Sequence, residues 1–524
     1  MASKGRTALR IAAVLVGLGA LAWQHLHQRA GNRAAGEAPA PASAASIAAA
    51  TPPAAPRTWK LGTLTLTACQ LGQPNSGLST AAWCAPFEVP ENRDDPHGRR
   101  IMLRLAVVRS EAQVPAKDML ALLAGGPGQA ATESWPAVAP ALDALLAHRN
   151  VLLLDQRGTG GSNPLDCKSV EQAGEEGDFD PGRLRAQTAQ CLKEVEAKAD
   201  PRYYTTTVAV EDLEAARRAL GAPALDLVGI SYGTRVAQQY AMRHPDAVRS
   251  LVLDGVVPNT LVLGEEFAQN LDDALKAQFA RCTADEACRK RFGDPYQTLF
   301  QLRDALRANP HRVSFRDPQN YRSVQRTLSE AALTSVVRMF AYSPPTAALL
   351  PLSIDAAAHG DVGPLLGQAK LLSGDLADTM NGGMQSSVIC SEDADLLTPR
   401  PEDERTILGT RMIDTLEALC TVWPKGSRPA DFHRPLHSAL PALLLSGQYD
   451  PVTPPRYGEA VLKGLSNARH FVLRGQGHNV IGAGCAPKLV KDFVENLQPS
   501  ALDAGCLDRI QPTPVFIDFN GAAP

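Results

Sequence analysis

Short apolar segments that alternate with helical ones are the feature that most constrains how this chain can fold. Four of these segments consist mostly of apolar residues, namely DMLALL, NVLLLD, LDLVGI and VRSLVLD. Such strands are buried on both faces, and their alternation with helices indicates a mostly parallel sheet that helices cover on both sides. Two earlier segments, KLGTLTLTACQL and RIMLRLAVVRS, alternate like half-buried strands. The sequence therefore predicts an α/β fold.

A helical block interrupts this alternation. From about residue 259 to 436 the apolar residues recur at helical spacing, and the α/β pattern resumes at PALLLSGQYDPVTPP. We predict a core formed by residues 58–258 and 437–524, with residues 259–436 inserted as a mainly helical cap. Ligands of open α/β sheets bind beyond the carboxyl ends of the strands, so we expect the cap to cover that edge.

The N-terminal residues resemble an export signal. A basic stretch precedes the apolar run IAAVLVGLGALAW, which is shorter than the ~20 residues that span a bilayer. We predict that residues 1–34 form a signal peptide, with cleavage near Ala20–Ala22. An uncleaved membrane anchor is the alternative, because Trp23 follows the possible cleavage site directly and Leu26 extends the apolar run. Residues 35–57 are rich in Ala and Pro and predict a linker. In both cases the body of the protein is periplasmic or secreted.

Cysteine usage agrees with export. The ten cysteines fall into five pairs that are close in sequence, and none forms a Cys-x-x-Cys motif. An even count in an exported chain favours disulfides over metal sites. We predict neighbour pairing, with buried thiols as the alternative. The predicted pairs are Cys69–Cys84, Cys167–Cys191, Cys282–Cys288, Cys390–Cys420 and Cys485–Cys506.

The segment Gly-Ile-Ser-Tyr-Gly provides a candidate nucleophile. It stands where the apolar segment LDLVGI ends and a helical pattern begins. A serine on such a strand-to-helix turn is exposed, and the flanking Gly229 and Gly233 relieve the crowding between strand and helix. We therefore predict that Ser231 is a nucleophile. A tight packing turn without catalytic function is the alternative.

A serine nucleophile needs a base and an acid that orients the base. In this arrangement both follow the serine along the chain, in the order acid, then histidine. His478 lies after a predicted strand in a glycine-rich loop, whereas His470 lies at the start of that strand. Asp450 ends the apolar run ALLLSGQYD and is the predicted acid. Asp254 also ends a strand and is its rival.

An acyl-transfer site also needs hydrogen-bond donors for the developing oxyanion. One predicted donor is the backbone N–H of Tyr232, the residue after the nucleophile. The second comes from AGGPGQ, the glycine-rich loop after an earlier strand. Gly126 is the preferred residue of this loop, and Gly125 is the alternative. A plain turn would also account for the glycines.

These motifs together resemble a known family. GGPG, DQRGTGGS, GISYG, GQYDPVTP and GQGH resemble the prolyl aminopeptidase and tripeptidyl aminopeptidase group of α/β-hydrolase serine peptidases. The resemblance extends from about Trp59 to Leu497 and is weak within the cap. It implies an α/β-hydrolase fold, with Ser231 as nucleophile, Asp450 as acid and His478 as base. It also implies that residues 155–157 support the site.

Two features shift the expected substrate from single prolines towards short peptides. Ala124 occupies the position at which prolyl aminopeptidases usually carry a histidine, and the cap and late cysteines are more similar to the exported tripeptidyl aminopeptidases. An enzyme that reads a free N-terminus needs a carboxylate for the ammonium. The segment SVICSEDADLL supplies Glu392 and Asp393 as predicted substrate-binding residues, with Asp395 as a further candidate. A solvated acidic loop is the alternative.

Charge and motifs exclude several classes of function. The net charge is −3, and five of the positive charges lie within the first 34 residues, so the body is acidic and nucleic-acid binding is not expected. The sequence contains no His/Glu zinc motif and no phosphate-binding loop, so we expect neither a cofactor nor a metal. The alternatives to an exopeptidase that acts on short peptides are a carboxylesterase or lipase with the same triad, and a catalytically idle binding module.

Overall fold

A ten-stranded sheet forms the centre of the protein in the computed structural model, which describes residues 57–74, 76–166 and 180–522. These residues belong to one compact unit, Pro56–Pro524. The predicted signal or anchor and nearly all of the predicted linker lie outside the described residues. Within the described ranges, none of the helices has the length and apolar character that crossing a membrane requires.

The sheet has an antiparallel part and a parallel part. The strands, with those outside this sheet, are β1 Thr58–Leu61, β2 Leu64–Gly72, β3 Ser79–Pro90, β4 Arg100–Val108, β5 Met119–Leu123, β6 Val151–Leu154, β7 Leu225–Ile230, β8 Val248–Asp254, β9 His311–Arg316, β10 Ser323–Leu328, β11 Ala442–Gly447, β12 Ala468–Leu473, β13 Phe516–Asp518 and β14 Gly521–Ala522. The order in the sheet is β1-β2-β3-β4-β6-β5-β7-β8-β11-β12. Neighbours from β1 as far as the β4–β6 pair are antiparallel, and the rest are parallel. The mostly parallel sheet was predicted and is confirmed, whereas β3 was not predicted.

Helices cover both faces of the sheet, and each face has its own apolar core. Side chains such as Leu213 and Tyr240 fill the core on one face, and Trp135 and Phe493 belong to the core on the other. The helices are α1 Ala131–Leu146, α2 Pro181–Glu196, α3 Thr206–Leu220, α4 Tyr232–Arg243, α5 Phe267–Ala284, α6 Glu286–Phe292, α7 Pro295–Ala308, α8 Glu330–Phe340, α9 Pro344–Ala347, α10 Leu350–Ala358, α11 Gly363–Thr379, α12 Gly382–Glu392, α13 Arg411–Cys420, α14 Pro455–Leu462 and α15 Ala486–Asn496.

The chain between β8 and β11 forms an inserted, mainly helical block. It contains α5 to α13 and packs around an apolar core that includes Leu299 and Val337. The sequence analysis predicted a mainly helical block and identified no individual strand within it. Strands β9 and β10 form an antiparallel hairpin within the block. Most of its side chains are partly or fully exposed, so it lacks the apolar run that marked the core strands.

Four of the five predicted disulfides are confirmed. They join Cys69 to Cys84, Cys282 to Cys288, Cys390 to Cys420 and Cys485 to Cys506. The remaining predicted pair involves Cys167, which lies outside the described residues. The Cys390–Cys420 bond ties α12 to α13 within the inserted block, close to the acidic segment that the sequence analysis identified.

Candidate active site

Ser231 lies on a sharp turn between β7 and α4. Its backbone has φ 55° and ψ −124°, a conformation that non-glycine residues rarely adopt. The Ser231 N–H donates to the carbonyl oxygen of Asp254 at 2.8 Å. The carbonyl oxygen of Ser231 accepts from the hydroxyl of Thr234 at 2.6 Å. These bonds hold the strained serine at the carboxyl edge of the parallel strands.

The glycines on either side of Ser231 are required by close backbone packing. A Cβ on Gly233 would lie 2.1 Å from the carbonyl oxygen of Leu123 in β5. A Cβ on Gly229 would lie 2.5 Å from the carbonyl oxygen of Gly233. Only glycine allows strand and helix to approach so closely, which is the reason that the sequence analysis gave for both residues.

His478 and Asp450 meet at the same edge of the sheet. The Nδ1 atom of His478 lies 2.7 Å from Oδ2 of Asp450. Asp450 follows β11, and its Oδ1 accepts from the backbone N–H groups of Val452 at 2.9 Å and Thr453 at 2.8 Å. The His478 N–H donates to the carbonyl oxygen of Tyr342 at 2.7 Å. The imidazole therefore has one nitrogen on a fixed carboxylate, which leaves Nε2 for another partner.

Asp254, the rival acid, has a different set of partners. Its carboxylate accepts from the backbone N–H groups of Val480 and Ile481, each at 2.9 Å. These residues lie two and three positions after His478, so Asp254 fixes the loop that carries the histidine. Across the described ranges, Asp450 is the carboxylate that forms a hydrogen bond with His478.

The pKa values of these groups follow from burial and from their partners. Burial opposes the charge of His478, but the charge and hydrogen bond of Asp450 outweigh it and raise the pKa of His478. Burial likewise acts to raise the pKa of Asp450, and the imidazolium and the backbone donors hold it below its usual value. Burial raises the pKa of Asp254 to about 6, although its two backbone donors oppose this shift. Of the two aspartates, Asp450 is therefore the one that is more readily ionised beside His478.

Thr453 is a site residue that the sequence analysis missed. Its hydroxyl donates to Oδ2 of Asp450 at 2.8 Å and lies 3.1 Å from Nδ1 of His478. The available signal was the spacing Asp-x-x-Thr, since an aspartate often accepts from the backbone and hydroxyl groups two or three residues later. The hydroxyl helps to fix the oxygen that faces the imidazole.

The predicted oxyanion donors border Ser231. A Cβ on Gly125 would lie 3.2 Å from Cβ of Ser231, so the glycine loop passes directly beside the serine. Gly126 follows with φ 108° and precedes Pro127 through a cis peptide bond. Tyr232 is the first residue of α4, and an N–H at that position has no acceptor within its own helix. Both predicted sources of a donor therefore lie next to the serine.

The Asp-Gln-Arg motif is bonded to the residues that follow this loop. Asp155 accepts from the backbone and hydroxyl of Thr132 at 2.8 and 2.9 Å, which ties it to the start of α1. Arg157 is fully buried and forms two hydrogen bonds, of 2.6 and 2.8 Å, with the carboxylate of Asp212. Gln156 donates to the hydroxyl of Tyr232 at 3.1 Å. These contacts agree with the structural role that the resemblance implies.

The predicted amine-binding carboxylates are buried and have partners within the protein. Glu392 accepts from the backbone N–H and the hydroxyl of Thr206, at 2.5 and 2.8 Å. Asp393 pairs with the buried Arg235 at 2.9 Å. Both carboxylates are 0% exposed, and neither is open to a substrate in this arrangement. Their role in binding an ammonium remains a prediction.

The fold and this edge of the sheet together define a class of protein. A serine on a strand-to-helix turn, a glycine loop beside it and a histidine–aspartate pair after later strands are the arrangement of α/β hydrolases. The family model described as alpha/beta hydrolase fold matches residues 119–482. This chain therefore belongs to the α/β hydrolase family.

Several relatives within the family are peptidases. The chain is 30% identical over 247 residues to serine protease Hip1 of Mycobacterium tuberculosis, covering 42% of this chain and 45% of Hip1. It is 30% identical over 196 residues to tripeptidyl aminopeptidase of Streptomyces coelicolor, covering 33% and 35% of the two chains. The putative hydrolase YuaR of Escherichia coli is 24% identical over 409 residues, or 73% and 78%. The chain thus spans less than half of the length of Hip1.

Proposed function

We propose that this protein is a serine exopeptidase that releases short peptides from substrates with a free N-terminus. The observation that carries the catalytic part is the 2.7 Å contact between His478 and Asp450 at the edge where Ser231 is held on its turn. The similarity to Hip1 and to tripeptidyl aminopeptidase favours peptides over simple esters as substrates.

In the proposed reaction Ser231 attacks the carbonyl carbon of the scissile bond. Nε2 of His478 accepts the hydroxyl proton and then donates it to the leaving amine, which yields an acyl-enzyme. Asp450 holds the proton on Nδ1 and stabilises the imidazolium. Water then attacks the acyl-enzyme, and His478 again acts as base. The sequence indicates no cofactor for these steps.

The developing oxyanion is placed between two backbone donors in this proposal. One is the N–H of Tyr232, and the other comes from the glycine loop at Gly126 or Gly125. Preorganised backbone donors stabilise the tetrahedral intermediate more than the substrate carbonyl, so they lower the barrier. The closeness of Gly125 to Ser231 supports this placement.

We also propose that the enzyme works outside the cytoplasm. The four disulfides are consistent with an oxidising compartment, since such bonds rarely persist in the cytosol. This agrees with the export signal that the N-terminal sequence predicts, whether it is cleaved or retained as an anchor.

A substrate panel tests the proposal. The panel contains tripeptidyl p-nitroanilides with a free or an acetylated N-terminus, together with p-nitrophenyl esters, and Ser231→Ala is the control. We expect acetylation to lower kcat/KM about thirtyfold or more, because it removes the positive charge that an exopeptidase recognises, at a cost of about 2 kcal/mol. Equal rates on free and blocked peptides would reject the exopeptidase, and a strong preference for esters would favour a carboxylesterase. Fluorophosphonate labelling that survives in Ser231→Ala would reject the nucleophile.

A further inference from the structure

A continuous row of hydrogen bonds joins the inserted block to the residue after the nucleophile. Gln156 Nε2 donates to the Tyr232 hydroxyl at 3.1 Å. The Tyr232 hydroxyl lies 2.6 Å from the hydroxyl of Thr206, which in turn lies 2.8 Å from Oε2 of Glu392. The other carboxylate oxygen of Glu392 accepts the Thr206 N–H at 2.5 Å. Thr206, Tyr232 and Glu392 are all buried, so the bonds among these three residues do not compete with bulk water.

We propose that Glu392 is a positioning residue that acts on the oxyanion donor Tyr232 through Thr206. This inference rests on the proposed function, in which the Tyr232 N–H stabilises the oxyanion. Glu392 is the last residue of α12 in the inserted block, Thr206 is the first residue of α3 in the core, and Tyr232 is the first residue of α4. The acidic segment therefore connects the block to the catalytic turn.

The ring of Tyr232 connects this row of hydrogen bonds to the backbone N–H of the same residue. Its peptide group follows Ser231, whose φ of 55° is strained, so the turn needs support from its neighbours. The hydroxyl at the other end of the ring is held by Gln156 and Thr206. Catalytic groups must stay within about 0.5 Å of the productive geometry, so anchoring the ring through its hydroxyl helps to keep the N–H in place.

The direction of the hydroxyl bonds depends on the charge of Glu392. When Glu392 is ionised, Thr206 donates to it and the Tyr232 hydroxyl donates to Thr206, so every hydroxyl proton has an acceptor. A protonated Glu392 can instead donate to the hydroxyl of Thr206. Thr206 then donates to the Tyr232 oxygen, and the Tyr232 proton loses its acceptor. A buried donor without an acceptor is costly, so the ionised carboxylate supports the row best.

The surroundings of Glu392 set the pH at which this change occurs. Burial raises the pKa of Glu392 to about 8, the adjacent Asp393 adds to the shift, and the Thr206 donors and Arg235 oppose it. Ionisation of Glu392 on raising the pH through about 8 is therefore expected to increase turnover. The titratable or charged groups that face Glu392 are Asp393, Arg235, Tyr232, Arg428 and His433. Nε2 of His433 lies 2.8 Å from the carbonyl oxygen of Glu392.

The main test compares Glu392→Gln with Glu402→Gln in the full-length protein, at a pH above 8 at which Glu392 is ionised. Both changes remove one negative charge from the inserted block, but Glu402 is exposed and pairs with Arg400 outside the row. A glutamine at position 392 can keep only one of the two acceptors that Thr206 uses. We expect kcat for a tripeptidyl p-nitroanilide, normalised by fluorophosphonate titration of active sites, to fall about tenfold in Glu392→Gln, with KM within twofold. Glu402→Gln is expected to match the unaltered enzyme.

Tyr232→Phe provides a second variant that leaves the carboxylate in place. It should also lower kcat, and the double variant with Glu392→Gln should be no slower than the slower single variant, because both break the same row. The increase in kcat near pH 8 should be absent from Glu392→Gln and present in Glu402→Gln. Melting temperatures show whether each variant is folded.

Several results would overturn the inference. An unchanged kcat per titrated site in Glu392→Gln would show that the carboxylate is only a packing element. A rise in KM for free N-termini at unchanged kcat would instead support direct binding of the substrate ammonium. Fully additive effects in the double variant would separate Glu392 from Tyr232. Labelling that survives in Ser231→Ala would defeat the proposed function itself, which is a different outcome from any of these.

Discussion

Exchanging Asp450 for asparagine distinguishes the roles of Asp450 and Asp254, which lie at the carboxyl ends of two neighbouring strands. One oxygen of Asp450 accepts from the backbone of Val452 and Thr453, and the other faces the Thr453 hydroxyl and His478. An asparagine can place its carbonyl oxygen on only one side. Turning its NH₂ towards the two backbone donors would leave both without an acceptor, at about 1–3 kcal/mol each. The carbonyl oxygen is therefore expected to stay on the backbone side.

This orientation of Asp450→Asn points the NH₂ group at Nδ1 of His478. Nδ1 must then accept, so the proton moves to Nε2, which can no longer take the proton of Ser231. A wrong tautomer of this kind costs roughly 10⁴-fold in turnover, or about 5 kcal/mol. The measurements are kcat/KM on a peptide p-nitroanilide and the rate of fluorophosphonate labelling.

Asp254→Asn is the matched control. One of its oxygens already accepts from both Val480 and Ile481 at 2.9 Å, so a carbonyl oxygen in that place keeps both bonds. Burial raises the pKa of Asp254 to about 6, so Asp254 loses its negative charge at a higher pH than an ordinary aspartate does. We expect a loss of less than about tenfold. A larger loss in Asp254→Asn than in Asp450→Asn would refute the reasoning and transfer the acid role.

Two further predictions concern the base and the nucleophile turn. The charge of Asp450 outweighs burial and raises the pKa of His478 above 6.5. We therefore expect kcat/KM to fall as the pH drops through that raised value, and we expect this fall to occur at a lower pH in Asp450→Asn. A pH–rate profile with no such shift would contradict the pairing of His478 with Asp450. Gly233→Ala should lower the free energy of unfolding by about 3 kcal/mol, since its Cβ would lie 2.1 Å from a backbone oxygen; Gly482→Ala, which meets nothing within 4 Å, is the control in denaturant unfolding.

Much of the fold was predictable because its signals are local. The segment LDLVGI is apolar along nearly its whole length because β7 is buried on both faces, and this composition is visible without any knowledge of its neighbours. The same holds for Gly229 and Gly233 around Ser231. Disulfides such as Cys69–Cys84, separated by 15 residues, are also favoured by short sequence distance.

The sequence alone determined the alternation of strands and helices, the turn that carries Ser231, and the place of His478 after a late strand. The tertiary structure decided what the sequence could not. Asp450 and Asp254 both lie at the carboxyl ends of strands, and only the packing of the loop that carries His478 shows which carboxylate faces the imidazole ring. It likewise gave Glu392 a partner 186 residues away. Sequence patterns indicate which faces of a segment are buried and which are exposed to solvent. The partner of a buried charge depends instead on how distant segments pack together, and no local pattern contains that information.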